Sequence, residues 1–300
     1  MRVTSRSVLG VVVPAALFVA LFLVTSNPAG STGGTPVSTV PTSSPTTTTS
    51  TSTTTTTPPP PGPAEANPFS ARAMAGYLRH RTNVVTAAVY DVNSGVTYTY
   101  HNGIRERTAS MVKIDILADL LYESQRSHVA LTPRQVVLAT QMIELSDNGA
   151  TDRLWSEIGR YDAINEFNEL VGLKATIPSY SWGDIDTTPL DQLQLLKVIV
   201  LPNSILDPAS RAFEMGLMEH TIAGERFGLG WGSPANALVG VKDGYYLEST
   251  TGWQLNTTGF VQYQGRFYLA TIMSEHNPDE DYGISTVTQI AEFIWKFLKP

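Results

Sequence analysis

Ser110 and Lys113 stand three positions apart in Thr108-Ala109-Ser110-Met111-Val112-Lys113-Ile114, and two further triplets, Ser146-Asp147-Asn148 and Lys242-Asp243-Gly244, follow along the chain. A serine hydroxyl is a weak nucleophile at neutral pH, so its attack on a carbonyl needs a group that takes its proton. A lysine does this only when neutral, a state favoured by burial or by neighbouring positive charge. On a helix, positions i and i+3 share a face, which places Lys113 within reach of Ser110. Ser146 supplies a second hydroxyl that can pass the proton to a leaving nitrogen, and Asn148 supplies an amide that can orient Lys113 or a substrate. Lys242 adds a positive charge that lowers the proton affinity of Lys113 and attracts an anionic substrate. Together these residues suit acyl transfer through a serine ester.

The elements around them fit that chemistry. Ser110 opens an apolar helical run, so it sits where unpaired backbone N–H groups favour developing negative charge. Val84 to Val92, Asn93-Ser94-Gly95 and Val96 to Tyr100 predict two strands joined by a tight turn that lead into this helix. Thr188 and Pro189 form a helix start, as N-cap and first helical residue. Trp253 to Tyr263 and Arg266 to Ser274 alternate in polarity around Gln264-Gly265, which predicts a hairpin. Asp162 to Val171 predicts a helix, and Ser285 to Leu298 a closing amphipathic helix with Ile290, Phe293, Ile294 and Phe297 on one face. Pro278-Asp279-Glu280-Asp281 before it is expected to be a solvated loop.

The ordered recurrence of Ser110-x-x-Lys113, Ser146-Asp147-Asn148 and Lys242-Asp243-Gly244 resembles the penicillin-recognising serine enzymes, and most closely the class A β-lactamases. Met142 to Thr151 is similar to the family's second motif with its flanks, and Asp186-Thr187-Thr188-Pro189 to the end of its Ω loop. The resemblance covers about the last three quarters of the chain. It implies an α/β (α+β) fold of the β-lactamase/transpeptidase type: an antiparallel sheet flanked by helices, an all-helical subdomain, and the active site in the cleft between them. It further implies Ser110 as nucleophile, Lys113 as base, Ser146 as proton relay, Asn148 as orienter and Lys242 as electrostatic anchor. Asp243, Gly244 and Tyr245 are then substrate-binding, the Tyr245 N–H joining that of Ser110 as an oxyanion hole.

The chain also departs from that family. Class A enzymes carry an Ω-loop glutamate, in a Glu-x-x-Leu-Asn context, that activates water for hydrolysis of the acyl-enzyme. The corresponding segment 172–189 has no glutamate, and its carboxylates are Asp184 and Asp186. Asp184 is the candidate substitute base, Asp186 a loop-closing residue, and deacylation is the step placed in question. Asp243 stands where the family has Thr or Ser; an ionised aspartate there repels the substrate carboxylate that the hydroxyl would bind.

Composition suits an exported domain on a tether. Arg2 and Arg6 precede the apolar run Val8 to Val24, which serves as a signal peptide or a short membrane anchor; no small-x-small cleavage site follows, which favours the anchor. Residues 25–66 are a Thr/Ser/Pro tract that buries too little apolar surface to fold, a spacer ahead of a domain at 67–300. The chain has no cysteine, so a lipidated cysteine, disulfides and thiolate metal sites are all excluded. Residues 1–66 hold Arg2 and Arg6 against Glu65, so the remainder carries one more negative charge than the whole chain's −7. Such a domain is a poor nucleic-acid binder. No cofactor and no metal are implied, and a monomer is expected. Three functions follow: a β-lactamase-type hydrolase acting on a β-lactam with slow deacylation, a DD-peptidase or transpeptidase acting on cell-wall peptides, or a binding protein that retains the fold without turnover.

Overall fold

The computed structural model describes residues 67–81 and 84–300. The apolar run Val8 to Val24 and the tract 25–66 lie outside the described residues. The elements are α1 (Arg72–Leu78), β1 (Val84–Asp91), β2 (Thr97–Tyr100), β3 (Glu106–Arg107), α2 (Val112–Ser127), α3 (Pro133–Glu144), α4 (Asn148–Ile158) and α5 (Tyr161–Val171). They continue as β4 (Asp186–Thr187), α6 (Pro189–Val200), α7 (Pro208–Glu219), α8 (Leu229–Gly232), β5 (Leu238–Glu248), β6 (Gly252–Tyr263), β7 (Arg266–Asn277) and α9 (Glu280–Phe297). Among the described residues no helix is long and apolar enough to cross a membrane.

Five strands form one antiparallel sheet in the order β2-β1-β7-β6-β5, and β3 pairs with β4 in a small ribbon. The alternation of strand side chains divides the core in two. Ala87, Val89, Val241, Leu255 and Ile272 face one side and pack with Val287, Ile290 and Ile294 of α9. Ala88, Phe260 and Leu269 face the other and join a larger core built from α2 to α7. The expected antiparallel sheet with flanking helices and a helical subdomain is therefore present.

Local chemistry accounts for most boundaries. The β1–β2 turn is held by the Asp91 carboxylate, which accepts from Asn93 N at 3.1 Å and Ser94 Oγ at 2.7 Å. Gln264 and Gly265, both at positive φ, make the two-residue β6–β7 turn whose twist matches its strands. Thr188 caps α6 by accepting from Asp191 N, with Pro189 in the first turn. Two expectations are corrected. Helix α9 begins at Glu280, five residues earlier than its apolar face suggests, because Asp279 accepts from Tyr282 N as N-cap and Glu280 and Asp281 complement the helix dipole. The glycine-rich stretch 228–232, which as a sequence reads as a turn, is a short helix entered at Gly228, whose φ is +54° and where a Cβ would meet Thr257 at about 2.4 Å.

Candidate active site

Three distant parts of the chain meet where the outer edge of β5, which among the described strands pairs with β6, faces the turn that opens α2. Ser110 lies in a single 3-10 turn, Ala109–Met111, that leads into α2. Ala109 immediately before it has φ +46°, an uncommon backbone for a residue with a Cβ and one that costs about 1–3 kcal/mol. Neighbouring segments hold that conformation. Asn256 of β6 donates to Arg107 O at 2.8 Å and Thr108 O at 3.4 Å, and Thr108 N donates to Ile185 O at 2.8 Å. Gly244 allows the closest approach: a Cβ there would stand 2.7 Å from Thr108 O and 2.9 Å from Ser110 N. The strand carrying Lys242, Asp243, Gly244 and Tyr245 thus lies against the backbone of Ser110.

Lys113, fully buried on the first turn of α2, donates to Ser146 O at 2.7 Å, Ser146 Oγ at 3.1 Å and Asn148 Oδ1 at 2.8 Å. The acceptors come from Ser146 in the link between α3 and α4 and from Asn148, the first residue of α4. Ser146 has φ +55°, and Asp147 caps α4 by accepting from Ala150 N. The triplet is thus a helix-to-helix turn and also the wall of the site. Lys242, equally buried, donates to the same Ser146 Oγ at 2.9 Å and to Asp243 O at 3.0 Å. One hydroxyl therefore bridges two buried amines. Among the described residues no hydrogen bond reaches the Ser110 hydroxyl, so the expected Ser110–Lys113 contact is not made; the amine is turned toward Ser146 and Asn148.

Charge in this cluster is governed by burial. The Lys113 ammonium is brought down to about 7, first by burial and then by Lys242, against opposing pulls from Glu225, Asp147 and Asp152. Lys242 is also lowered, by burial, while Glu225 and Asp243 favour its charged form. Asp243 is fully buried, and its carboxyl is pushed well above the usual range by desolvation, more than Thr257, Lys242 and the Phe227 backbone pull it down. The third-motif position is thereby occupied by a carboxyl whose charged form burial disfavours.

The loop 172–189 differs from expectation in what it presents. Trp182 lies with its ring centroid 5.1 Å from Lys113 Nζ, and its Nε1 donates to Asp152 Oδ1 at 2.8 Å. Asp184 is half-exposed and pairs with Arg107 at 3.4 Å; the same guanidinium group reaches Glu248 at 3.2 Å and Tyr246 Oη at 2.8 Å. That ties Asp184 to β3 and β5. Asp186 closes the loop through its backbone, exchanging hydrogen bonds with Ile177, while the side-chain clamp is Asp191 of α6, which accepts from Ala175 N and Thr176 Oγ1. Glu225 was also invisible in the motifs: its Oε2 lies 4.0 Å from Lys242 Nζ and its Oε1 accepts from Tyr245 Oη at 3.1 Å. Only its place near the chain segment leading to β5 hinted at this. Among the described residues no group of side chains is arranged to hold a metal ion.

A model of the "Beta-lactamase enzyme family" matches residues 125–298, a span that begins after Ser110 and Lys113 and takes in Ser146, Asn148 and Lys242. The putative lipoprotein LppW of Mycobacterium tuberculosis, and that of Mycobacterium bovis, are 28% identical to this chain over 215 residues, covering 68% of this chain and 67% of theirs. Among solved structures, a class A β-lactamase from Bacteroides cellulosilyticus superposes with a TM-score of 0.68 at 18% identity, over 77% of this chain and 98% of that one. PBP-A superposes with a TM-score of 0.64 at 20% identity, over 74% and 92%. These structural likenesses establish the shared fold.

Proposed function

The chain belongs to the beta-lactamase enzyme family, and from that premise we propose that it is a serine hydrolase of the β-lactamase type that opens a cyclic amide through an ester on Ser110. The observation that carries this reading is the convergence of two buried lysines on the Ser146 hydroxyl, at 3.1 and 2.9 Å, one of them on the strand whose Gly244 lies against the backbone of Ser110. Neutral Lys113 takes the Ser110 proton as Oγ bonds to the carbonyl carbon. Charge on the carbonyl oxygen is received by the N–H groups of Ser110 and Tyr245. The carbon–nitrogen bond then breaks, and the proton passes from Lys113 through Ser146 to the leaving nitrogen. Water cleaves the ester, which releases the acid and restores the hydroxyl. Asn148 holds Lys113 in place, and no cofactor takes part.

This second half-reaction is slow in our reading, because the loop 172–189 offers the Trp182 ring where a water-activating carboxylate is needed and holds Asp184 on Arg107. The same observation favours a second reading, in which the acyl group passes to an amine of a cell-wall peptide. Both place the domain outside the membrane, secreted or tethered by the run 8–24, and the chain has no cysteine to carry a lipid.

Intact-mass measurement after incubation with benzylpenicillin tests the first step: the expected result is an adduct on Ser110 that is absent from Ser110→Ala. No adduct on the unaltered protein with either benzylpenicillin or its methyl ester sinks the acyl-enzyme. Turnover of a chromogenic cephalosporin separates the two readings, since acylation without turnover favours the amine acceptor.

A further inference from the structure

Lys242 has three N–H directions, and the protein already occupies or faces all of them: Ser146 Oγ at 2.9 Å, Asp243 O at 3.0 Å and the Glu225 carboxylate at 4.0 Å. Glu225 is held there by the Tyr245 phenol, and its side chain is only 14% exposed. Its Oε2 is buried and has no hydrogen-bond partner. The other cations near this end of the cleft are committed elsewhere. Arg226, next to Glu225 in the chain, donates to the carbonyl oxygens of Glu219, Thr221 and Val239, and Arg107 serves Asp184, Glu248 and Tyr246. A negative field also acts on the Tyr245 phenol, which is raised by burial and further by Glu225, Glu280 and Asp243.

An anion arriving at Lys242 would therefore meet an ammonium that already faces a carboxylate, with no spare donor cation beside it. Bringing a second carboxylate into that partly buried space adds like-charge repulsion where screening is weak and removes the solvation of the incoming group. An uncharged ester or amide has neither penalty. Its carbonyl oxygen can still use the backbone donors of the β5 edge.

We propose that Glu225 makes this cleft select acyl donors that are uncharged where they meet Lys242, and turn away donors that carry a carboxylate there. The natural substrate class is then a neutral ester or amide, including an amide interior to a peptide, and excludes one adjoining a free C-terminus. The inference rests on the acyl-enzyme reading and assigns the specificity of that same site.

The test uses two probes of one skeleton, benzylpenicillin and its methyl ester, with acylation of the full chain followed by intact mass and each rate divided by the probe's rate with hydroxide. The ester is expected to acylate Ser110 at least tenfold faster than the carboxylate. In Glu225→Gln, checked for folding by its melting curve, that ratio is expected to shrink as the carboxylate gains. Equal rates, or a faster carboxylate, on the unaltered protein overturn the specificity while leaving the acyl-enzyme in place, and so does an unchanged ratio in a folded Glu225→Gln. Absence of any adduct with both probes overturns the acyl-enzyme reading and this inference with it.

Discussion

Lys113 and Lys242 are both fully buried and both donate to the Ser146 hydroxyl, yet their surroundings are opposite in character. Lys113 has only neutral acceptors within hydrogen-bonding distance, the Ser146 carbonyl and hydroxyl and the Asn148 amide oxygen. Lys242 has a carboxylate at 4.0 Å and a second carboxyl on the next residue. Neutral acceptors favour the ammonium less strongly than a carboxylate does. The proposed reaction uses this contrast, with Lys113 as the amine that exchanges a proton.

Replacing each lysine in turn is the strongest way to break that contrast. Lys113→Met removes the base, and acylation of Ser110 is expected to fall by about 10²–10⁴-fold, measured as the rate of adduct formation. Lys242→Met removes a neighbouring charge and one donor to Ser146 but leaves Lys113 in place, so its loss is expected to be smaller, roughly tenfold for each unit by which the Lys113 ammonium recovers its ordinary proton affinity. Equal losses would mean that the two amines share one role.

The pH profile sharpens the same comparison. Lys113 is brought down to about 7 and must be neutral to act, so the acylation rate should climb as pH rises through about 7 and level off above it. Lys242 pushes that value down, so Lys242→Met should move the rising limb to higher pH. Glu225 pulls it up, so Glu225→Gln should move the limb to lower pH. Shifts in the reverse directions would show that some other group titrates.

Carboxyls buried in the helical layer obey the same physics with the opposite sign. Asp115 of α2 and Glu214 of α7 are both buried, and desolvation raises both, helped at Asp115 by Asp119 and at Glu214 by Asp115. A raised carboxyl stays protonated in the fold while the unfolded chain releases its proton above the ordinary range. Its stabilisation is therefore complete at acid pH and declines as pH rises toward the folded value. Glu214→Gln should accordingly lose less melting temperature than the unaltered protein between pH 5 and pH 8.

The smallest effect is expected at Asp184, which lies outside both lysine environments in an exposed pair with Arg107. Asp184→Asn should alter stability by no more than about 0.5 kcal/mol and leave the lifetime of the adduct unchanged. A longer-lived adduct would restore this residue as the water-activating base.

Much of this molecule was legible along the chain because the deciding interactions span few residues. The β1–β2 and β6–β7 hairpins follow from alternation and turn chemistry, and the start of α6 from Thr188 and Pro189. The start of α9 was missed for a related reason: the apolar face begins well after the Asp279 cap, and the intervening acidic residues resemble a loop. Glu225, Trp182 and Asp191 carry no motif of their own. Each acquires its role from a partner across the fold: Lys242, Lys113 and the Ala175–Thr176 backbone respectively.

The order of residues alone determined which hydroxyls, amines and amides this protein can bring to a carbonyl, and the caps, turns and periodicities that hold them, because such features are settled within a few positions. Tertiary structure decided what surrounds those groups. How far burial raises the Asp243 carboxyl, and that Lys242 faces Glu225, depend on distances across space. Those distances join residues far apart in the chain, and no local pattern records them.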